Sequence, residues 1–164
     1  MQKITIVNTG GTFNKRYNPL NGELIVDKTS SALKDIAQKW LHRFDESIDI
    51  IGKDSLDIDD SDRLEILETI TKAKNHKIII IHGTDTIDIT AQYLSKHNIS
   101  KQIILTGAMM PYSIDPVEAT ANFASAFGYI SAIDRDGVYI SMNGSISNYT
   151  EVIKDRELGR FGYL

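Results

Sequence analysis

Short apolar runs of β character alternate along the chain with segments of helical period. Residues 3–7 read as a strand, after which Gly10, Gly11, Asn14, Asn18, Pro19, Asn21 and Gly22 predict a long mobile loop. Only the apolar stretch 23–26 interrupts that loop. Leu33, Ile36, Ala37, Trp40, Leu41 and Phe44 then recur at i, i+3, i+4, i+7, i+8 and i+11, one apolar face of a helix that Ser30 or Ser31 can cap. A strand over 47–51 ends at Gly52, and a helix over 61–74 is predicted with Leu64, Leu67, Ile70 and either Ala73 or Lys74 on its buried seam. Four consecutive isoleucines at 78–81 carry no polar alternation, the mark of a central strand buried on both faces. A helix over 86–97, a strand over 101–105, a helix over 117–133 and a strand over 138–142 complete the pattern, with Asp136-Gly137 turning into the last strand.

Five strands separated by helices predict an α/β fold with three α/β/α layers and a mostly parallel sheet, Rossmann-like or flavodoxin-like in kind. The chain shows no internal repeat, low-complexity stretch or linker, so residues 1–164 are expected to form one domain. Composition narrows the function. A chain of 164 residues, 41% hydrophobic and 24% charged, can bury a real core, and a net charge of -4 argues against a basic nucleic-acid face. The absence of cysteine removes disulfides and thiolate zinc sites. The first residues are too short and too quickly polar for a secretory signal or a membrane span, so a cytoplasmic protein without a membrane partner is expected.

In open parallel sheets, ligands bind beyond the carboxyl ends of the strands. The unusual polar residues fall there each time: Thr9-Gly10-Gly11-Thr12, Gly52-Lys53-Asp54-Ser55-Leu56-Asp57, His82-Gly83-Thr84-Asp85-Thr86, Thr106-Gly107-Ala108-Met109-Met110-Pro111, and Asn143-Gly144-Ser145 with Lys154 further on. Hydroxyls, a carboxylate, glycines and a lysine therefore converge on one sheet edge. Gly10 and Gly11 leave the backbone open to a substrate, and their amides are candidates for holding an oxyanion. Thr12 offers a hydroxyl nucleophile that needs a neighbour to take its proton, and a lysine beside Thr84 and Asp85 is suited to relay it.

The two threonine segments resemble the signatures of the bacterial-type L-asparaginases, and the segment 106–111 is similar to that family's loop after the fourth strand. The segment 54–57 resembles the one that supplies the substrate-carboxylate serine, and Met142-Asn143 followed by Lys154 resembles the one that supplies the active-site lysine. The likeness runs over nearly the whole chain in family order. It implies an amidohydrolase that splits L-asparagine or a related small amide into the acid and ammonia, without metal or organic cofactor. Thr12 would be the nucleophile, and Thr84, Asp85 and Lys154 a second group that activates it or water. Asp85 would also hold the substrate ammonium and Ser55 its carboxylate, with Gly11, Asp54, Ala108 and Met109 lining the pocket. Tyr17 would be the flexible-loop tyrosine beside the nucleophile. Self-association is implied as well.

Departures from the family pattern are visible. The family's second, smaller domain, which reaches a neighbouring subunit's ammonium site, is expected to be absent from this chain. Leu56 stands where a polar residue is usual, and the segment 114–118 lacks a glycine after Asp115. One lost charged contact to an ammonium costs about 1.5–3 kcal/mol, or about 10- to 150-fold in affinity. A ligand-binding or regulatory module that keeps the pocket is therefore the alternative reading, and one piece of a split enzyme a further one.

Plainer readings stand beside the sharp ones. Thr12 can simply cap the segment after a Gly-Gly turn, Thr84 and Asp85 can be an N-cap pair, and Lys154, beside an Asp-Arg-Glu run, can be a solvated charge. Asp57, Asp59, Ser61 and Glu68 match liganding positions of a calcium loop, but Asp62 replaces its glycine and a strand precedes it. Helix-start carboxylates fit better. His42, His76, His82 and His97 lack metal-ligand spacing; His82 is expected to pack at a strand end.

Overall fold

A computed structural model describes residues 3–40 and 44–164 of the chain. In chain order the elements are β1 (Ile4–Gly10), β2 (Lys15–Tyr17), β3 (Leu24–Val26), α1 (Ser31–Lys39), β4 (Glu46–Lys53), α2 (Asp60–Lys72) and β5 (Lys77–Ile81). There follow α3 (Ile87–Ser95), β6 (Gln102–Thr106), α4 (Pro116–Ala132), β7 (Gly137–Met142), β8 (Ser145–Asn148), β9 (Val152–Asp155) and β10 (Arg160–Tyr163). Single 3₁₀ turns at Thr12–Asn14 and Ser55–Asp57 follow β1 and β4.

Six strands form the main sheet in the order β4-β1-β5-β6-β7-β8. Every neighbouring pair is parallel except β7 with β8. From β1 the chain winds outward to β4 and then back past β1 to β5, β6 and β7, the flavodoxin-like order. Its topological switch lies between the carboxyl ends of β1 and β5.

Side chains alternate between two apolar layers. Ile78 and Ile80 of β5 join Ile66 and Ile70 of α2 and Ile87, Ala91 and Leu94 of α3. Ile79 and Ile81 face the other way, onto Leu33 and Ile36 of α1 and Phe123, Ala126 and Ile130 of α4. All four isoleucines are fully buried, which explains why that strand has no polar positions.

Several local expectations are corrected. The helix predicted to reach Phe44 stops at Lys39, although Phe44 still packs on Phe123 at 5.5 Å between ring centres. Leu41 and His42 lie outside the described residues. In α2, Leu64 is 47% exposed while Arg63 and Ile66 turn inward. Asp59 and Asp62 close a capping box that fixes the helix start and its phase, and each residue step rotates the side chain by about 100°. The same bonds give Asp59 a structural role in place of a calcium loop, and Glu68 pairs with Lys72. The segment expected as a mobile loop folds into the β2–β3 hairpin. Residues beyond Met142 form three strands that the apolar pattern did not mark. Among the described residues no helix is long and apolar enough to cross a membrane.

Candidate active site

At the switch point three loops meet backbone to backbone. A β-carbon on Gly11 would lie 2.5 Å from Gly83 Cα, and one on Gly83 would lie 2.5 Å from Ser55 Cβ. The loops after β1, β5 and β4 are thus stacked in that order, with no side chain between those after β1 and β5. Gly11 has φ 73°, a conformation that glycine alone adopts cheaply. Around this stack an amide network braces the first loop. Asn14 Nδ2 donates to Asn8 Oδ1 at 2.8 Å and to Gly10 O at 2.7 Å, while Asn8 Nδ2 donates to Asp49 Oδ1 at 2.9 Å. Phe13 is fully buried against Tyr112 and Phe123 and pins the turn that begins with Thr12. Thr12 itself is half-buried, and no hydrogen bond joins its hydroxyl to another group among the described residues.

Lys154 arrives on the β9–β10 hairpin. Strand alternation places Val152 and Lys154 on one face; Val152 is buried in the core, and Phe161, also buried, stands opposite Lys154 in register. The lysine amine donates to Thr84 Oγ1 at 3.0 Å and to Asp85 Oδ1 at 2.6 Å. Its side chain is only 12% exposed, so the solvated-charge reading of Lys154 is wrong. Thr84 is buried and Asp85 half-buried in the turn before α3. The N-cap pair reading fails too, because Thr86 occupies the N-cap of α3. Ser55 Oγ accepts the Asp85 amide at 3.2 Å, and Ser55 O accepts the Thr86 hydroxyl at 2.8 Å. Ser55, Thr84, Asp85 and Lys154 are therefore one connected polar group. It can pass a proton between a hydroxyl and an amine, and it leaves the Ser55 hydroxyl hydrogen available to a ligand.

The other expected residues lie around this group. Burial raises the Asp54 carboxyl, but an ion pair with Lys15 and the amides of Leu56 and Ser55 outweigh it and lower the pKa overall. Gly107 passes close to both His82 and Thr84, and Ala108 next to it is fully buried. The amides of Met109 and Met110 both donate to the Glu118 carboxylate, at 3.0 and 2.8 Å. Tyr17 is 60% exposed in the β2–β3 hairpin and makes no hydrogen bond to the group among the described residues. One expectation is corrected outright. Gly11 N donates to Lys53 O at 2.9 Å and Gly10 N to Asn8 Oδ1 at 3.1 Å, so neither amide is available to an oxyanion. A backbone carbonyl of β4 took one donor and the Asn8 side chain the other.

His82 sits beneath the site, fully buried at the strand end as expected. Its Nδ1 lies 2.8 Å from Gly83 O and its Nε2 2.9 Å from the Thr90 hydroxyl, so the neutral ring with hydrogen on Nδ1 satisfies both contacts. Burial pushes its pKa down to about 4. Among the described residues no cluster of three His, Asp or Glu side chains is placed to hold a metal ion.

Three contributors escaped the sequence reading: Lys15 on Asp54, Glu118 under the Met109 loop, and Arg156. The Arg156 guanidinium reaches Asp85 Oδ1 from Nη1 at 3.3 Å and the Asp85 carbonyl from Nη2 at 3.0 Å. Arg156 lies in the turn just past β9, where no strand or helix period marks the direction of a side chain.

Residues 3–159 match the family model for the N-terminal part of asparaginase. The chain is 28% identical over 166 residues to an L-asparaginase of Thermococcus kodakarensis, covering 96% of this chain and 49% of that protein. It is 27% identical over 170 residues to L-asparaginase 2 of Escherichia coli, covering 94% and 47%. The solved structure of the thermostable Thermococcus kodakarensis enzyme superposes with a TM-score of 0.83 at 26% identity, over 100% of this chain and 51% of that one. The chain spans about half the length of the curated relatives it matches. The family match runs from the first strand through the stacked glycine loops to the lysine hairpin, and by it the chain belongs to the asparaginase family, in the region of its N-terminal domain.

Proposed function

We propose that this chain carries an amidohydrolase site of the L-asparaginase type, which hydrolyses L-asparagine or a related small amide to the acid and ammonia. Relatives named L-asparaginase support the reaction class. One contact carries the assignment: the Lys154 amine bridging Thr84 Oγ1 and Asp85 Oδ1 in a largely buried position. Thr12 is the nucleophile in this reading. Its oxygen attacks the amide carbon while its proton passes to the Thr84–Asp85–Lys154 group. That group returns a proton to the departing nitrogen, which leaves as ammonia, and an ester remains on Thr12. Water then cleaves the ester and the same group carries the protons, a role worth about 10²- to 10⁴-fold in rate. Ser55 takes the substrate carboxylate through its free hydroxyl hydrogen, and Tyr17 covers the nucleophile from the hairpin.

The test is ammonia release from L-asparagine, L-glutamine and related amides by the parent and by Thr12→Ala. Turnover in the parent with loss of at least about 10³-fold in the variant, at an unchanged melting temperature, supports the reading. Equal turnover by Thr12→Ala ends it. A binding module that retains the pocket is favoured by a different observation, the internal bonding of the Gly10 and Gly11 amides. Thermal stabilisation by aspartate, asparagine or glutamine without ammonia release would select that reading.

A further inference from the structure

We propose that Arg156 sets the charge preference of this site, selecting small amides that carry a carboxylate but no free α-ammonium. The inference rests on the site assignment above and goes beyond it to the substrate class. Arg156 grips one residue at two points, the carboxylate and the carbonyl of Asp85, so the guanidinium is directed there by hydrogen bonds and not by charge alone. Asp85 Oδ1 already accepts the Lys154 amine. A single carboxylate thus meets two protein cations.

Among the described residues no acid besides Asp85 forms an ion pair with Lys154 or Arg156. Asp54 is committed to Lys15, and Asp155 turns its carboxylate onto the amides of Glu157 and Leu158 in its own turn. Asp88, exposed in the first turn of α3, makes no ion pair with either cation. A substrate ammonium would have to displace Arg156 from Asp85 or settle beside two positive groups. An anionic amide without an ammonium avoids that repulsion and gains attraction from the same cations. Arg156 is 64% exposed at its side chain, so the preference is modest: about five- to tenfold, the effect of one neighbouring charge at a wet site.

The experiment compares the parent, Arg156→Gln and Arg156→Lys as purified full chains. Ammonia release is measured from succinamate, which lacks the ammonium, and from L-asparagine, which has it. The parent is expected to favour succinamate in kcat/KM. Arg156→Gln should shift the ratio toward L-asparagine by about five- to tenfold, mainly through KM, and Arg156→Lys should keep the parent's direction. A parent that favours L-asparagine, or a ratio that Arg156→Gln leaves unchanged, overturns the proposal. So does a Lys variant that behaves like the Gln variant. Titration with succinate and L-aspartate separates this failure from that of the hydrolase reading. If no protein releases ammonia from any amide, the hydrolase assignment falls. The succinate-to-aspartate Kd ratio, judged by the same criteria, then decides the role of Arg156, and failure of both diacids to bind the parent overturns it.

Discussion

Replacing Lys154 with methionine removes the amine and keeps a side chain of similar length. Two charge-assisted hydrogen bonds disappear, those of 3.0 Å to Thr84 and 2.6 Å to Asp85. In isolation such bonds contribute about 1.5–3 kcal/mol each. The folded protein keeps less than their sum. Asp85 is 34% exposed at its side chain and retains Arg156, so water and the guanidinium take up part of the uncovered charge. Discounted for that screening, the loss is about 1–2 kcal/mol of stability, or about 2–8 °C in melting temperature for a chain of this size. Catalysis is expected to fall much further, by about 10²- to 10⁴-fold, because the relay between hydroxyl and amine is broken.

Urea denaturation and ammonia release from the same preparation measure both effects. A double-mutant cycle with Asp85→Asn isolates the pair from its surroundings. A folded Lys154→Met protein that releases ammonia at the parent's rate would refute the relay. An additive cycle, with no coupling between Lys154 and Asp85, would refute the contact itself.

Two further outcomes follow from the packing around the site. His82 titrates at about 4 when folded against about 6.5 when unfolded, so the unfolded chain takes up the proton first. Its contribution is complete above pH 6.5 and declines as pH falls toward 4, by about 2 kcal/mol at pH 5; denaturation at pH 7 and pH 5 should show that slope, flattened in His82→Gln, and a flat parent profile would contradict it. Gly83→Ala would put a methyl 2.5 Å from Ser55 Cβ and 2.9 Å from its backbone nitrogen. Because backbone must shift, a cost of about 1–3 kcal/mol in denaturant unfolding is expected, and an unchanged midpoint would show that the three loops are looser than described.

The parallel sheet was legible because its signals are local and strong. Four isoleucines in a row have one sensible destination, and the helices between strands leave few topologies. The candidate residues were legible for the same reason, since sheet topology assigns every strand's carboxyl end to one edge. What escaped were features that depend on turn chemistry or on partners distant in sequence. Asn143 and Gly144 both have positive φ, the two-residue turn that joins β7 to β8. An Asn-Gly pair of this kind announces a hairpin, yet the mixed polarity of 145–148 hid the strand after it. Leu64 was misplaced because apolar spacing alone does not give a helix its phase; the Asp59–Asp62 capping box does. The Gly11 amide looked free because its acceptor, Lys53 O, lies on a strand distant in sequence, and the Gly10 amide because the Asx-type bond that Asn8 offers two residues earlier was not read.

The geometry of the site is set less by its reactive residues than by what packs behind them. Thr12, Ser55 and Thr84 come from loops far apart in sequence, and each follows or adjoins a position where a β-carbon would collide with another loop's backbone or with Ser55 itself. The lysine reaches Thr84 and Asp85 because Val152 and Phe161 sink one face of a hairpin into the core and leave the next side chain on that face to meet them. Hydroxyl positions are thus inherited from glycine contacts and strand alternation, while charge is tuned separately by Arg156 at the exposed end of the same hairpin. The division has a physical consequence. Changes at the glycines move the Thr12, Ser55 and Thr84 hydroxyls together, whereas changes at Arg156 alter the field around Asp85 and leave the stack intact. Substrate charge preference can therefore drift within such a fold without disturbing the hydroxyl–amine contact on which hydrolysis would depend.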